Sequence, residues 1–350
     1  MKKIIHCDAD CFFVALEIRD SPDLRGIPVA VGGDPGRRGV ISTCNYEARA
    51  FGVKSAMPSA YAKRLCPQLI ILPSQMTKYQ EAALAMREIF LDYTSVIEPL
   101  SLDEAYLDVT ESYHCLGSAT LIAKDIRRRI HKEVGITVSA GISTNKFLAK
   151  VASDWQKPNG LTVITPERIQ FFLRRLPVSA IPGVGPSSTK KLHSYGINTC
   201  YDLQQLKEAQ LVTWFGKLGR HLYRVSRGDD SRPVKAREKR KSLSVERTFS
   251  NDIKSIGQCY PLLSDLAYNL STRLEAVNSE RNIDKCFVKV KFANFEKTTV
   301  EAKTRLFSLS LCNKLFHEAW QRYKQPVRLL GLGVRFKQSD DVLNQQLALF

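Results

Sequence analysis

Acidic side chains stand in this chain where a buried sheet would not tolerate them. Asp8 and Asp10 close an apolar run, KIIHCDAD, that reads as an interior strand. Asp103 and Glu104 sit in SLDEAYLDV, a second strand region. Ionised carboxylates are costly in a core unless something neutralises them. If the two strands are neighbours, their acids converge at one edge of a sheet and call for a cation. Hard oxygen ligands select Mg²⁺ or Mn²⁺ over zinc. Two such ions could hold both the attacking and the leaving oxygen of an in-line phosphoryl displacement. The alternative is that the acids are solvated strand ends.

The rest of the pattern supplies such a sheet. Tyr79, Ala83, Met86, Phe90 and Tyr93 recur at helical spacing, and residues 97–109 read as strands around a turn. Ser118 is placed to cap a helix carrying Leu121, Ile122, Ile126 and Ile130 on one face. Gly135 ends that helix, and Ile136, Val138, Ala140 and Ile142 alternate as a strand. The order βαββαβ predicts an antiparallel, ferredoxin-like sheet backed by two helices. Residues 11–75, rich in Gly, Arg and small residues, interrupt it as an inserted small domain. A helical unit is expected from Thr165–Pro166 to about 230. The segment SRPVKAREKRK (231–241) has six basic residues against one Glu and no apolar periodicity, and reads as a tether. From 242 a second βαββαβ order begins, and 337–350 reads as a tail. The fold class is therefore α+β, in several domains.

The formal net charge is +17, and it is unevenly placed: +2 over residues 1–165 and +15 over 166–350. A half-chain this basic suggests a polyanionic partner. No run of 18 apolar residues exists, so no membrane span is expected, and the N-terminus reads as a strand and not a secretory signal. Nine scattered cysteines without a CxxC pair suggest reduced thiols in the cytosol and no zinc site.

The Asp-Ala-Asp after an apolar strand, SLDEAYLD, and the segment VISTCNYEARAFGV together resemble the Y-family DNA polymerases, and within them the bacterial translesion enzymes. The resemblance spans nearly the whole chain. It implies a right-hand polymerase: palm at 1–10 and 74–165, small fingers at 11–73, helical thumb at 166–230, basic linker at 231–241, a βαββαβ little finger at 242–340 and a tail at 341–350. It implies error-prone, template-directed DNA synthesis without proofreading, by a monomer in the bacterial cytoplasm. Asp8 and Asp103 would bind two Mg²⁺ ions, for which Mn²⁺ can substitute. Glu104 would ligate the metal at the primer 3′-OH and support its deprotonation, and the Ala9 carbonyl would complete the nucleotide-side site. Asp10 belongs to the motif without being required as a ligand. Thr43, Tyr46, Arg49 and Lys157 would contact the dNTP triphosphate. Phe13 would be the steric gate against a ribose 2′-OH, with Phe12 a packing residue.

Ile181-Pro-Gly-Val-Gly185 resembles a helix-hairpin-helix, in which Gly183 and Gly185 let backbone N–H groups approach a phosphate of primer–template DNA. Pro186 stands where relatives often carry a basic residue. Lys285, Lys289, Lys291, Arg335 and Lys337 are expected to make a basic sheet face. Gln346, Leu347, Leu349 and Phe350 resemble a peptide that binds the bacterial sliding clamp. Two other classes compete. A nucleotidyl cyclase would need a Gly-Gly-acidic turn where Ser101-Leu102 stand, and a non-catalytic DNA scaffold would be favoured had one of the three acids been replaced.

Overall fold

The computed structural model describes residues 1–236, 240–277 and 282–337. The chain forms two compact units: Met1–Gly33 with Val40–Met57 and Tyr61–Arg237, and Glu238–Phe350 with the short segments Asp34–Gly39 and Pro58–Ala60. In chain order the elements begin β1 (Ile4–Ala9), α1 (Phe12–Asp20), β2 (Val29–Gly32), β3 (Ile41–Cys44), α2 (Tyr46–Ala50), α3 (Ser59–Leu65), β4 (Ile70–Leu72) and α4 (Met76–Leu91). They continue as β5 (Ile97–Pro99), β6 (Glu104–Asp108), α5 (Ala119–Glu133), β7 (Val138–Ser143), α6 (Lys146–Trp155) and β8 (Leu161–Val163).

β1 lies at the centre of a five-stranded sheet of order β5-β6-β1-β7-β8, antiparallel to both of its neighbours. Period-two alternation sends Ile5, Cys7 and Leu107 into a core shared with Met86, Phe90, Ile122 and Ile126 of α4 and α5. Ile4 and Tyr106 turn to the other face, against Ala149 of α6. Ser118 caps α5 as expected, its Oγ accepting from the Leu121 N–H. The sheet departs from the simple expectation at its far edge, where β8 runs parallel to β7. The reason is α6, which crosses the second face between them. A Cβ at Gly141 would lie 2.1 Å from the Ala149 carbonyl oxygen, so only glycine lets α6 lie this close to β7. That close approach carries Lys150 and Ser153 to the sheet.

β3, β2 and β4 form a separate small sheet around Ala30, Ile41, Cys44, Ala48 and Leu69. Asn45 caps α2 by accepting from the Ala48 N–H at 3.1 Å, which sets Tyr46 and Arg49 on that helix. Next come five short helices: α7 (Ile169–Arg175), α8 (Pro186–Ser194), α9 (Cys200–Gln204), α10 (Glu208–Phe215) and α11 (Lys217–Val225). Their core of Leu173, Leu192, Leu211 and Leu222 continues into Phe147 and Val151 of α6.

The second unit contains β9 (Ser242–Ile253), α12 (Ile256–Ala276), β10 (Ile283–Phe292), β11 (Lys297–Lys303), α13 (Leu309–Gln321) and β12 (Val327–Phe336). Its antiparallel sheet has the order β11-β10-β12-β9. Val288, Val290 and Phe292 pack against Leu263, Leu270 and Phe316 of the two helices. All nine cysteines are unbridged. Among the described residues no helix is long and apolar enough to cross a membrane.

Candidate active site

The register of β1 against β6 places Asp8 opposite Glu104. The Ala9 N–H donates to the Asp103 carbonyl at 2.9 Å, which draws the turn before β6 against the end of β1. His6, Asp8 and Glu104 each offer one ligand atom, all within 4.8 Å of one another. His6 Nε2 lies 3.3 Å from Glu104 Oε2, and His6 Nδ1 is 2.8 Å from Ser153 Oγ. Asp103 stands outside this trio, its Oδ1 accepting from the Ser101 hydroxyl at 2.5 Å.

Lysines neutralise two of the acids. Lys157 Nζ is 2.7 Å from Asp8 Oδ1 and 2.9 Å from Asp154 Oδ1. Lys150 Nζ donates to Glu104 Oε2. Burial pushes the Asp8 carboxyl up to about 6 against the pull of Lys157. At Glu104 burial also acts upward, but hydrogen bonds with His6 and Lys150 outweigh it and hold the carboxyl down to about 2. Burial lowers the pKa of His6. Because the folded-state pKa of Asp8 is raised, its ionised form costs the metal-free fold stability at neutral pH; that cost shrinks as pH falls below about 6 and is gone below the unfolded value of 3.8. A divalent cation would relieve the same cost while competing with the proton. Cation affinity is therefore expected to fall up to about tenfold per unit below pH 6, which Mn²⁺ titrations at pH 5 and pH 7 would measure.

Asp8, Ala9, Phe13, Thr43, Tyr46, Arg49, Asp103 and Lys157 all line one cavity of about 290 Å³, together with Cys11, Phe12, Ser42 and Ser55. Tyr46 Oη is buried without a hydrogen-bond partner, and the Arg49 guanidinium lies 4.8 Å from the centre of its ring. The half-buried Phe13 ring stacks on Tyr79 at 4.2 Å and 13°. Phe12 is 2 % exposed and belongs to the core. Asp10 is no part of the cation trio: it is buried, and its carboxylate accepts from Thr137, Ser139 and the Asn159 N–H.

The remaining residues lie elsewhere. Gly183 has φ +90°, a conformation that favours glycine, whereas Gly185 is extended and forms the N-cap of α8. Lys285 and Arg335 both pair with Glu301, and Lys289 pairs with Glu246, so the expected basic face of the second sheet is interleaved with acids. Gln346, Leu347, Leu349 and Phe350 lie outside the described residues. His6 and Lys150 join the acids without having been marked as candidates by the sequence motifs. His6 shares a strand face with Asp8 two residues on, a signal the alternation already carried; nothing local marks Lys150.

Curated relatives match end to end. The DNA polymerase IV of Pseudomonas entomophila is 49% identical over 350 residues, covering 100% of this chain and 99% of that one. The DNA polymerase IV of Shewanella halifaxensis is 51% identical over 335 residues, covering 95% and 94%. This chain belongs to the Y family of DNA polymerases, with the DNA polymerase IV proteins. The profile of the impB/mucB/samB family matches residues 7–154, that of the DNA polymerase-iota thumb domain 179–230, and that of the impB/mucB/samB C-terminal domain 240–349. Among solved structures, a Y-family DNA polymerase chimera superposes with a TM-score of 0.85 at 28% identity, covering 95% of this chain and 98% of that one. An insertion ternary complex of Dbh DNA polymerase gives 0.68 at 27% identity over the same shares. The α+β polymerase architecture expected from the sequence is thus the fold. This Y-family enzyme is a metal-dependent, DNA-directed DNA polymerase of translesion synthesis, and two-metal nucleotidyl transfer is general for its family.

Proposed function

We propose that the 290 Å³ cavity is the nucleotide site and that Asp8, Asp103 and Glu104 hold the metal pair beside it. One observation carries this reading: acids able to bind cations and basic groups able to bind phosphates line the same cavity, with an aromatic ring at its side. The acids fit hard divalent cations, and lysine ammonium groups already neutralise two of them. The ions would be Mg²⁺, with Mn²⁺ as a substitute, and the Ala9 carbonyl would complete the nucleotide-side set. When bound, they supply charge for the attacking and leaving oxygens of the displacement.

The protein groups do the orienting. Arg49 offers a planar fork, Tyr46 and Thr43 offer hydroxyls, and Lys157 offers an ammonium that would exchange Asp8 for a triphosphate oxygen. The hydroxyl of Tyr46, buried with nothing to bond, supports that assignment. Glu104 would assist loss of the primer hydroxyl proton, and Phe13 would exclude the 2′-OH of a ribonucleotide. Primer–template DNA would be gripped without sequence readout at Gly183 and Gly185. In domain terms, 1–10 and 74–165 would be the palm, 11–73 the fingers, 166–230 the thumb, 231–241 the linker, 242–340 the little finger and 341–350 the tail. The enzyme would act as a monomer in the cytoplasm. Primer extension on undamaged and damaged templates tests the reading, which requires dNTP addition on both. No addition on an undamaged template in Mg²⁺ would overturn it.

The tail carries a separate expectation. Gln346-Leu-Ala-Leu-Phe350 would dock on a sliding clamp, and tethering would raise the local template concentration. Deleting residues 346–350 is expected to leave single-nucleotide insertion unchanged and to remove clamp stimulation on long templates. Full stimulation of the truncated enzyme by loaded clamp would rule the peptide out as the tether.

A further inference from the structure

Asp10 is 4 % exposed, and a carboxylate so buried is retained only if its oxygens are fully hydrogen-bonded. Its donors are all neutral. The Thr137 hydroxyl donates to Oδ2 and the Ser139 hydroxyl to Oδ1, each at 2.8 Å, and the Asn159 N–H donates to Oδ2 at 2.8 Å. Two of these donors sit at the start of β7, and the third lies in the turn Lys157-Pro158-Asn159-Gly160. The Ser139 hydroxyl also accepts from the Gly160 N–H at 3.1 Å, so the carboxylate holds the turn by two routes.

Arg127 closes the other side of that turn. Its Nη2 donates to Asn159 Oδ1 at 2.7 Å, and its Nε donates to the Val138 carbonyl at 3.0 Å. The turn is tightly wound: Asn159 has φ +51°, and a Cβ at Gly160 would lie 2.1 Å from the Gln156 carbonyl oxygen. Lys157, two residues before Asn159, points from this turn into the nucleotide cavity and onto Asp8.

We propose that Asp10 is a positioning residue for Lys157: its carboxylate pins the lysine's turn to the strand end that bears Asp8, and so sets the lysine for the nucleotide triphosphate. The proposal rests on the reading of Lys157 as a triphosphate contact. Asp10 lies outside the cavity lining and the cation trio, and its loss frees the Asn159 N–H and leaves the turn held by Arg127, by the Gly160 N–H on Ser139 and by the Ala140 N–H on the Gly160 carbonyl.

A double-mutant cycle tests this. Single-nucleotide insertion is measured for the native enzyme, Asp10→Ala, Lys157→Ala and the combined variant, with Asp10→Asn alongside. Thermal unfolding selects a temperature at which all are folded. Asp10→Ala is expected to raise the dNTP KM about ten- to a hundredfold, the scale of one lost charge-assisted hydrogen bond, with a smaller change in kcat and unchanged primer–template affinity. Asp10→Asn, which keeps the shape and one acceptor, should recover part of the loss. The combined variant should bind dNTP no worse than Lys157→Ala. If the two losses add, the positioning role is wrong while the reading of Lys157 stands. If Lys157→Ala leaves KM unchanged, that reading falls and this proposal with it. Should Asp10→Ala fail to fold, Asp10→Asn takes its place in the cycle.

Discussion

Asp103→Ala is expected to abolish nucleotide addition, lowering kcat at least about a thousandfold, or about 4 kcal/mol of barrier, while primer–template binding stays nearly intact. Asp103 is the cleanest of the three acids to remove. Asp8 pairs with Lys157, and Glu104 contacts Lys150 and His6, so losing either strands a partly buried cation. The side-chain contact of Asp103 among the described residues is a hydrogen bond from Ser101, and its carboxylate faces the cavity. Its loss should therefore remove charge where cations bind, at little cost to folding. Insertion in Mg²⁺, DNA binding in EDTA and thermal unfolding separate these effects. Turnover within tenfold of the native enzyme would dismiss Asp103 as a metal ligand.

Phe13→Val is expected to admit ribonucleotides. The Phe13 ring cannot retreat from the cavity, because it is backed by the stacked Tyr79 ring. Tyr79 is itself fixed: its hydroxyl donates to the buried Glu17 at 2.6 Å, and Glu17 also accepts from Lys78 at 2.6 Å and Gln75 at 3.0 Å. Valine leaves room at the ring edge, and discrimination against ribonucleotides should fall about 10- to 200-fold, the scale of about 1–3 kcal/mol for one steric contact. Use of dNTPs should be mostly retained. Phe12→Val is the control. That ring is buried behind Phe13 and Tyr79, so the change should mainly lower the melting temperature and alter sugar discrimination far less than Phe13→Val. An unchanged dNTP-to-rNTP ratio in Phe13→Val would move the gate elsewhere.

Much of the architecture was legible because strand and helix periods are local. The alternation around Ile5 and Cys7, the spacing of Tyr79, Met86 and Phe90, the cap at Ser118 and the βαββαβ order of the second unit each depend on neighbouring residues. The acids stood out for a related reason: charge inside an apolar strand is costly, so its presence announces a compensating positive charge.

What neutralises a charge, however, is a long-range matter. Lys150 reaches Glu104 because Gly141 lets α6 lie on the sheet, and Lys157 reaches Asp8 from the turn after α6; no local pattern states either. Asp8 and Asp10 look alike in the sequence, yet the first faces the cavity together with Asp103 while the second meets two hydroxyls and a backbone N–H. The second sheet teaches the same lesson. Its basic alternation was visible along β10, but Glu301 comes from the neighbouring β11, and Glu246 comes from β9, two strands away across Gly331 of β12, which strand order alone decides. The sequence by itself determined which groups are charged and which faces are apolar, because those follow from side-chain type and backbone period. Only the tertiary structure decided which charges meet, because pairing depends on distances between segments that are far apart in the chain.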